Sequence, residues 1–237
     1  MTMPVSRTRT LVAIFAALLA AVLLASCSSS PPSERNITLT FIRHGESVAN
    51  ADGIIDTSVR GPSLTPTGQQ QAAAVANRLD NNKYDGIYAS DMVRTQQTAE
   101  PMSKALGKPV TVLPGLNEIS AGWFEGGKAD KAGITYGVAQ ADWLRGDTSF
   151  VIPGSVSGTE FNGKFTEAVQ RIYTSGNSKP VAFSSAASIM LWTLMNVRNA
   201  RDSLATDHPL PNTGRVVITG NPVTGWTLVD WDGITSF

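Results

Sequence analysis

From Ile37 onward, β-type runs and helical stretches take turns along the chain, and this alternation limits the possible folds more than any other feature. Ile37-Thr38-Leu39-Thr40-Phe41-Ile42 is a β-branched, apolar run followed at once by Arg43-His44-Gly45-Glu46. Thr65-Pro66-Thr67-Gly68 then opens a helical stretch from Gln69 to Leu79, with a threonine cap and a proline near the first turn. Gly86 to Ala89 reads as a strand, Asp91 to Leu106 as a helix and Val110 to Val112 as a strand. The pattern resumes with a helix from Gly158 to Tyr173, a buried strand from Pro180 to Ser184 and a helix from Ala187 to Val197. Two late β-type runs, Arg215 to Thr219 and Gly225 to Asp230, flank Gly220-Asn221-Pro222 and predict a hairpin. Strands alternating with helices build a mostly parallel sheet covered on both faces, a three-layer α/β/α fold.

The segment before this pattern has a different character. Arg7 and Arg9 make it basic, and an uncharged run rich in Ala and Leu follows from Leu11 to Ala25. That run is shorter than the roughly 18 apolar residues of a membrane span. A basic start, an apolar middle and small residues at the end mark an export signal. Its ending, Leu24-Ala25-Ser26-Cys27, resembles the lipobox of bacterial lipoproteins, which implies a signal peptide over residues 1–26 and acylation of Cys27. A plain signal peptide cut at Ala25 or Ser26 is the alternative. Two or more acyl chains hold a protein stably on a membrane where one binds only marginally. Cys27 is the only cysteine, so the mature domain has no disulfide and must be held by its core. Residues 27–36 read as the acylated end and a polar tether, and residues 37–237 as one domain. The expected location is the extracytoplasmic face of the membrane. Lys plus Arg and Asp plus Glu balance at 19 each in 237 residues, so nothing in the charge points to nucleic acid.

In sheets of this class, ligands bind outside the carboxyl ends of the strands. Arg43-His44-Gly45, Ser90 to Arg94 and Ser184 to Ala187 all follow predicted strands, so three separate segments aim at one crevice. A neutral histidine can attack phosphorus when its other ring nitrogen is held by a hydrogen bond. An arginine beside it supplies a fork of donors for phosphoryl oxygens. An isolated Arg-His-Gly would read as a surface arginine next to a capping histidine, but this one is not isolated.

Arg43-His44-Gly45-Glu46 with Asn50 resembles the signature of the histidine phosphatase superfamily, which includes phosphoglycerate mutases and many phosphomonoesterases. The likeness continues through Leu64-Thr65-x-x-Gly68-x-x-Gln71-Ala72 and Ser90-x-x-x-Arg94-x-x-Gln97-Thr98-Ala99. It reaches Leu116-Asn117-Glu118-Ile119, Gly122 and Phe124-Glu125-Gly126, and is thin from Gly127 to Lys179. With its anchor, the chain is similar to phosphoglycerate-mutase-like lipoproteins of mycobacteria. The resemblance implies His44 as the phosphoryl-accepting nucleophile, Glu118 as proton donor and Arg43 and Arg94 as phosphate-binding residues. Glu125 could be taken for the acid, but the alignment of the whole segment favours Glu118. The resemblance implies no cofactor, and no cluster of ligating residues has metal-binding spacing. The implied partner is a phosphorylated small molecule or a phosphoprotein.

The likeness breaks at Val181-Ala182-Phe183-Ser184-Ser185-Ala186-Ala187. Ser185 stands where the family carries a second histidine, and Ala186 where a glycine follows it. The remaining histidine, His208, lies in a loop-like stretch before Pro209 and reads as a surface residue. A serine can donate a hydrogen bond but carries no positive charge, and loss of one preorganised donor costs about 100- to 1,000-fold in rate. Two expectations follow. One is a slow phosphomonoesterase with Ser185 as a weaker third phosphate contact. The other is a pseudophosphatase that binds a phosphorylated ligand or partner. Ser184-Ser185 lacks the flanking glycines of a serine-hydrolase elbow. The five tryptophans, Trp123 among them, read as core or crevice-wall residues.

Overall fold

The computed structural model describes residues 35–79 and 84–237; the expected signal peptide, Cys27 and most of the tether lie outside them. The elements follow as β1 (Ile37–Arg43), α1 (Val48–Ala51), α2 (Pro66–Arg78), β2 (Gly86–Ala89), α3 (Val93–Leu106), β3 (Val110–Val112), α4 (Gly137–Leu144), α5 (Gly158–Thr174), β4 (Pro180–Ser184), α6 (Ala186–Asn196), α7 (Ser203–Asp207), β5 (Arg215–Asn221) and β6 (Gly225–Trp231). Short 3-10 segments, Pro114–Leu116, Gly122–Phe124 and Ala129–Ile134, fall between β3 and α4. No helix among the described residues is long and apolar enough to cross a membrane.

The six strands form one sheet in the order β3-β2-β4-β1-β5-β6. β2 pairs in parallel with β3 and β4, and β4 with β1, while β5 and β6 add to β1 as an antiparallel hairpin. The sheet is therefore mixed and mostly parallel, as the alternation of elements predicts. Because side chains alternate along a strand, each buried strand feeds both faces. Ile37, Leu39 and Phe41 enter one apolar cluster with Phe161 and Phe165 of α5 and Ile189 and Trp192 of α6. Ile42, Val181 and Phe183 enter the other, with Val75 and Ala76 of α2 and Ala99 and Met102 of α3. Phe41, Phe165 and Trp192 meet ring to ring at centroid distances of 5.4–5.7 Å. Residues 35–237 form one compact unit that contains both clusters, so this unit holds the core it needs to fold by itself.

Local chemistry sets the helix starts. Thr65 Oγ1 accepts the Gly68 N–H, so α2 begins at Pro66 rather than at Gln69. Ser157 and Glu160 close a capping box at the start of α5. The hairpin turn falls two residues later than predicted, at Pro222-Val223-Thr224, because Gly220 and Asn221 still pair with β6. Trp143, Trp192, Trp226 and Trp231 are buried, but Trp123 is 82% exposed, which corrects its reading as a core or wall residue. The glycine-bounded segment around Trp123 turns its ring outward over Gly154.

Candidate active site

The parallel register puts three strand ends level: Arg43 of β1 faces Ser184 of β4, and Ala89 of β2 faces Phe183. The residues that follow these ends converge. Arg43, His44, Arg94, Glu118, Ala186 and Ala187 all line one cavity of about 330 Å³.

The loop after β1 is fixed by the motif residues around it. The Gly45 N–H donates to Thr98 Oγ1, which in turn donates to the Arg94 carbonyl. Gln71 Oε1 accepts the Glu46 N–H and Gln97 Oε1 accepts the Leu64 N–H. Gly68 lies against this loop so closely that a Cβ there would meet the Glu46 carbonyl oxygen at 2.1 Å. The glycine, glutamines and threonine of the two helix motifs thus hold the backbone that carries His44. Asn212, from the segment before β5, donates to the His44 carbonyl and to Asn50 Oδ1.

His44 is 4% exposed. Arg94 Nε donates to its Nε2 at 3.1 Å, and its Nδ1 lies 2.7 Å from the Gly45 carbonyl oxygen. An arginine cannot accept, so Nε2 carries the lone pair and Nδ1 carries the proton. Burial first, and then the charge of Arg94, pull the His44 pKa well below its ordinary value, against the opposing pull of the Gly45 carbonyl. The ring is therefore neutral, with its Nε2 lone pair accepting from the Arg94 guanidinium.

Both arginines are partly satisfied. Arg43 donates to the Leu210 carbonyl at 2.6 Å, but its buried Nε has no partner, and neither has the buried Nη1 of Arg94. Burial draws both guanidinium pKa values down, and the nearby Glu118 carboxylate opposes this. Buried donors without partners beside a neutral imidazole are suited to a tetrahedral oxyanion.

Glu118 is held by Ser188 Oγ and by the Ile119 N–H, each donating to Oε1 at 2.9 Å. Glu125 does not line the cavity; its carboxylate accepts from the N–H and hydroxyl of Thr57. Ser185, at the N-cap of α6, is fully buried, and its Oγ has no hydrogen-bond partner. The cavity wall at this point is Ala186 and Ala187. His208 is exposed at the end of α7 and does not line the cavity.

The sequence reading missed the opposite wall. Ala129, Ala132, Tyr136 and Gln140 come from the 3-10 segment and α4, and Asp56 from the loop after α1. Burial and the carboxylates of Glu118 and Glu125 raise the Tyr136 pKa, so its hydroxyl stays protonated. Gln140 Nε2 is another buried donor without a partner. The signal that could have located these residues is modest: Gly137 to Leu144 combines a Trp with small residues over only two turns. Among the described residues, no group of three or more His, Cys, Asp or Glu side chains is placed to hold a metal ion.

Comparison with known proteins accords with this arrangement. The chain is 48% identical over 216 residues to the PE-PGRS family protein PE_PGRS11 of Mycobacterium tuberculosis, a match that covers 84% of this chain and 37% of that one. The chain thus spans well under half the length of this relative. It is 31% identical over 160 residues to the "Probable phosphoglycerate mutase GpmB" of Yersinia pestis, covering 66% of this chain and 74% of that one. The structure of mycobacterial glucosyl-3-phosphoglycerate phosphatase superposes with a TM-score of 0.69 at 18% identity, over 84% of this chain and 100% of that one. Phosphoserine phosphatase of Entamoeba histolytica, solved with 3-phosphoglyceric acid, superposes at 0.64 with 25% identity, over 84% and 98% of the two chains. The model of branch 1 of the histidine phosphatase superfamily matches residues 39–233, and the chain belongs to that superfamily.

Proposed function

We propose that this protein is a slow phosphomonoesterase working through a phosphohistidine at His44. The observation that carries this reading is the neutral, buried imidazole whose Nε2 lone pair faces the Arg94 guanidinium. Arg43 and Arg94 hold the phosphoryl oxygens. His44 Nε2 attacks phosphorus in line, so a P–N bond forms as the P–O ester bond breaks. Glu118 gives its proton to the departing alkoxide. Water, losing a proton to Glu118, then attacks the phosphohistidine, which releases inorganic phosphate and restores both side chains. The weak point is the family's second-histidine position: Ser185 there carries no positive charge and is buried off the cavity lining, so it makes no contact of its own with the transition state.

The same position favours a second reading, a pseudophosphatase that binds a phosphorylated ligand or partner without turning it over. Steady-state hydrolysis of an aryl phosphate by the chain from Ser28 onward, compared with His44→Ala, separates the two. Slow turnover lost in the variant supports the enzyme. Turnover that survives the substitution sinks the mechanism, and phosphate binding with no turnover supports the second reading.

We further infer that residues 1–26 direct export and that Cys27 is acylated, which places residues 37–237 on the outer face of the membrane. Labelled palmitate incorporated by the native chain but not by Cys27→Ala is the expected result, and incorporation by both would refute it.

A further inference from the structure

A larger cavity, of about 530 Å³, adjoins the catalytic one, and Thr57 and Glu118 line both. Its walls are mostly apolar: Leu113, Pro114, Ile119, Val156, Phe161 and Ala168. Four of these (Leu113, Ile119, Phe161 and Ala168) belong to the main core cluster, so the cavity is a groove with an apolar floor, open to solvent along the side of Val59, Pro114 and α5. Its base is set by a close backbone approach, since a Cβ on Gly115 would meet the Lys164 carbonyl oxygen of α5 at 2.4 Å. Lys164, Glu167 and Arg171 form its polar edge, where Arg171 and Glu167 pair at 2.6 Å.

The position of Glu118 gives this cavity a meaning. A proton donor must touch the oxygen that leaves, so the first carbon of the leaving alcohol lies beside Glu118. From there, the space next to Thr57 and Glu118 is the apolar cavity, whose volume falls in the range of small-molecule sites, about 300–1,000 Å³. Apolar atoms that enter it leave water, and each methylene so buried strengthens binding. We propose that this cavity takes the alcohol portion of the substrate, and that the substrate class is a phosphomonoester of an apolar alcohol, alkyl or arylalkyl, rather than of a small polyhydroxy acid. This assignment rests on the phosphatase reading for the orientation of the ester.

The test is calorimetric titration of the chain from Ser28 onward with ethyl phosphate and with octyl phosphate, the latter kept below its micelle threshold. Octyl phosphate is expected to bind about tenfold or more tightly than ethyl phosphate, a modest part of what six buried methylenes could contribute. Val156→Asp and, separately, Val59→Asp place a charge on the cavity wall and should remove the preference. Val59 is 63% exposed, so that variant keeps its fold. Val223→Asp, at the tip of the β5–β6 turn, should retain the preference. Equal affinity for the two esters, or a preference that survives both wall substitutions, overturns the assignment. Binding is read apart from turnover. A protein that prefers octyl phosphate but hydrolyses no ester refutes the phosphatase reading and upholds the cavity. Turnover of an aryl phosphate with no length preference refutes the cavity alone.

Discussion

Arg94 Nε and His44 Nε2 meet at 3.1 Å, although one residue lies in the first turn of α3 and the other follows β1. Tertiary structure therefore sets the tautomer of the imidazole: the Nδ1 proton faces the Gly45 carbonyl, and the lone pair faces the cation that would share the phosphoryl group. A second cation, Arg43, adds to the effect, and burial is the largest part of it.

That pair predicts the acid behaviour of the protein. An unfolded chain takes up a proton on His44 near pH 6.5 or so, whereas the folded chain does so only well below that. The unfolded state thus binds more protons in the window beneath about pH 6.5. The stability from this group is complete above that window and falls as the pH drops through it. Nitrogen NMR of labelled histidine should show His44 neutral, with its proton on Nδ1, at about pH 6. Arg94→Ala should raise its pKa without restoring the ordinary value, because burial remains. A wild-type His44 that titrates near its ordinary value would contradict this.

Ser185→His should raise kcat for an aryl phosphate by about tenfold or more, a fraction of what a preorganised donor supplies. Because Ser185 is fully buried, the larger ring should also lower stability by about 1–3 kcal/mol, read as a reduced Tm. A variant that folds but gains no activity would mean that charge at this position is not what limits the rate.

Thr98→Val removes the acceptor of the buried Gly45 N–H at nearly constant volume. The expected loss is about 1–3 kcal/mol in urea unfolding, with a fall in kcat as the loop carrying His44 relaxes. Thr98→Ser, which keeps the hydroxyl, should recover most of both. A larger loss in Thr98→Ser than in Thr98→Val would assign the role to the methyl group instead.

Much of this structure could be read in the sequence where local and tertiary signals agree. Gly86–Ala89, Val110–Val112 and Pro180–Ser184 are strands with the predicted bounds, because β-type residues there end at glycine, proline or polar breaks. The segments after three predicted strand ends were expected to share a crevice, and one cavity is lined by Arg43 and His44, by Arg94 and by Ala186 and Ala187 from those segments. Contributions that depend on long-range packing were not legible. Tyr136 and Gln140 lie on a short segment that packs against the helices α5 and α6, a placement set by tertiary contact rather than by periodicity. The helix of Ser203–Asp207 spans barely more than one turn and has no side-chain cap to announce it. The inward face at Ser185 differs from expectation because the chain turns into α6 at once, so the two alanines meet the cavity while the serine is buried.

The central claim is that His44 Nε2 carries the phosphoryl group during turnover. Rapid mixing with an aryl phosphate, alkaline quench and peptide mapping by mass spectrometry would locate any covalent adduct. The account predicts one phosphoryl group, acid-labile and base-stable, on the peptide containing His44, and none in His44→Ala. A phosphoryl group mapped to Ser184, Ser185 or His208, or turnover at full rate with no adduct on His44, would contradict it.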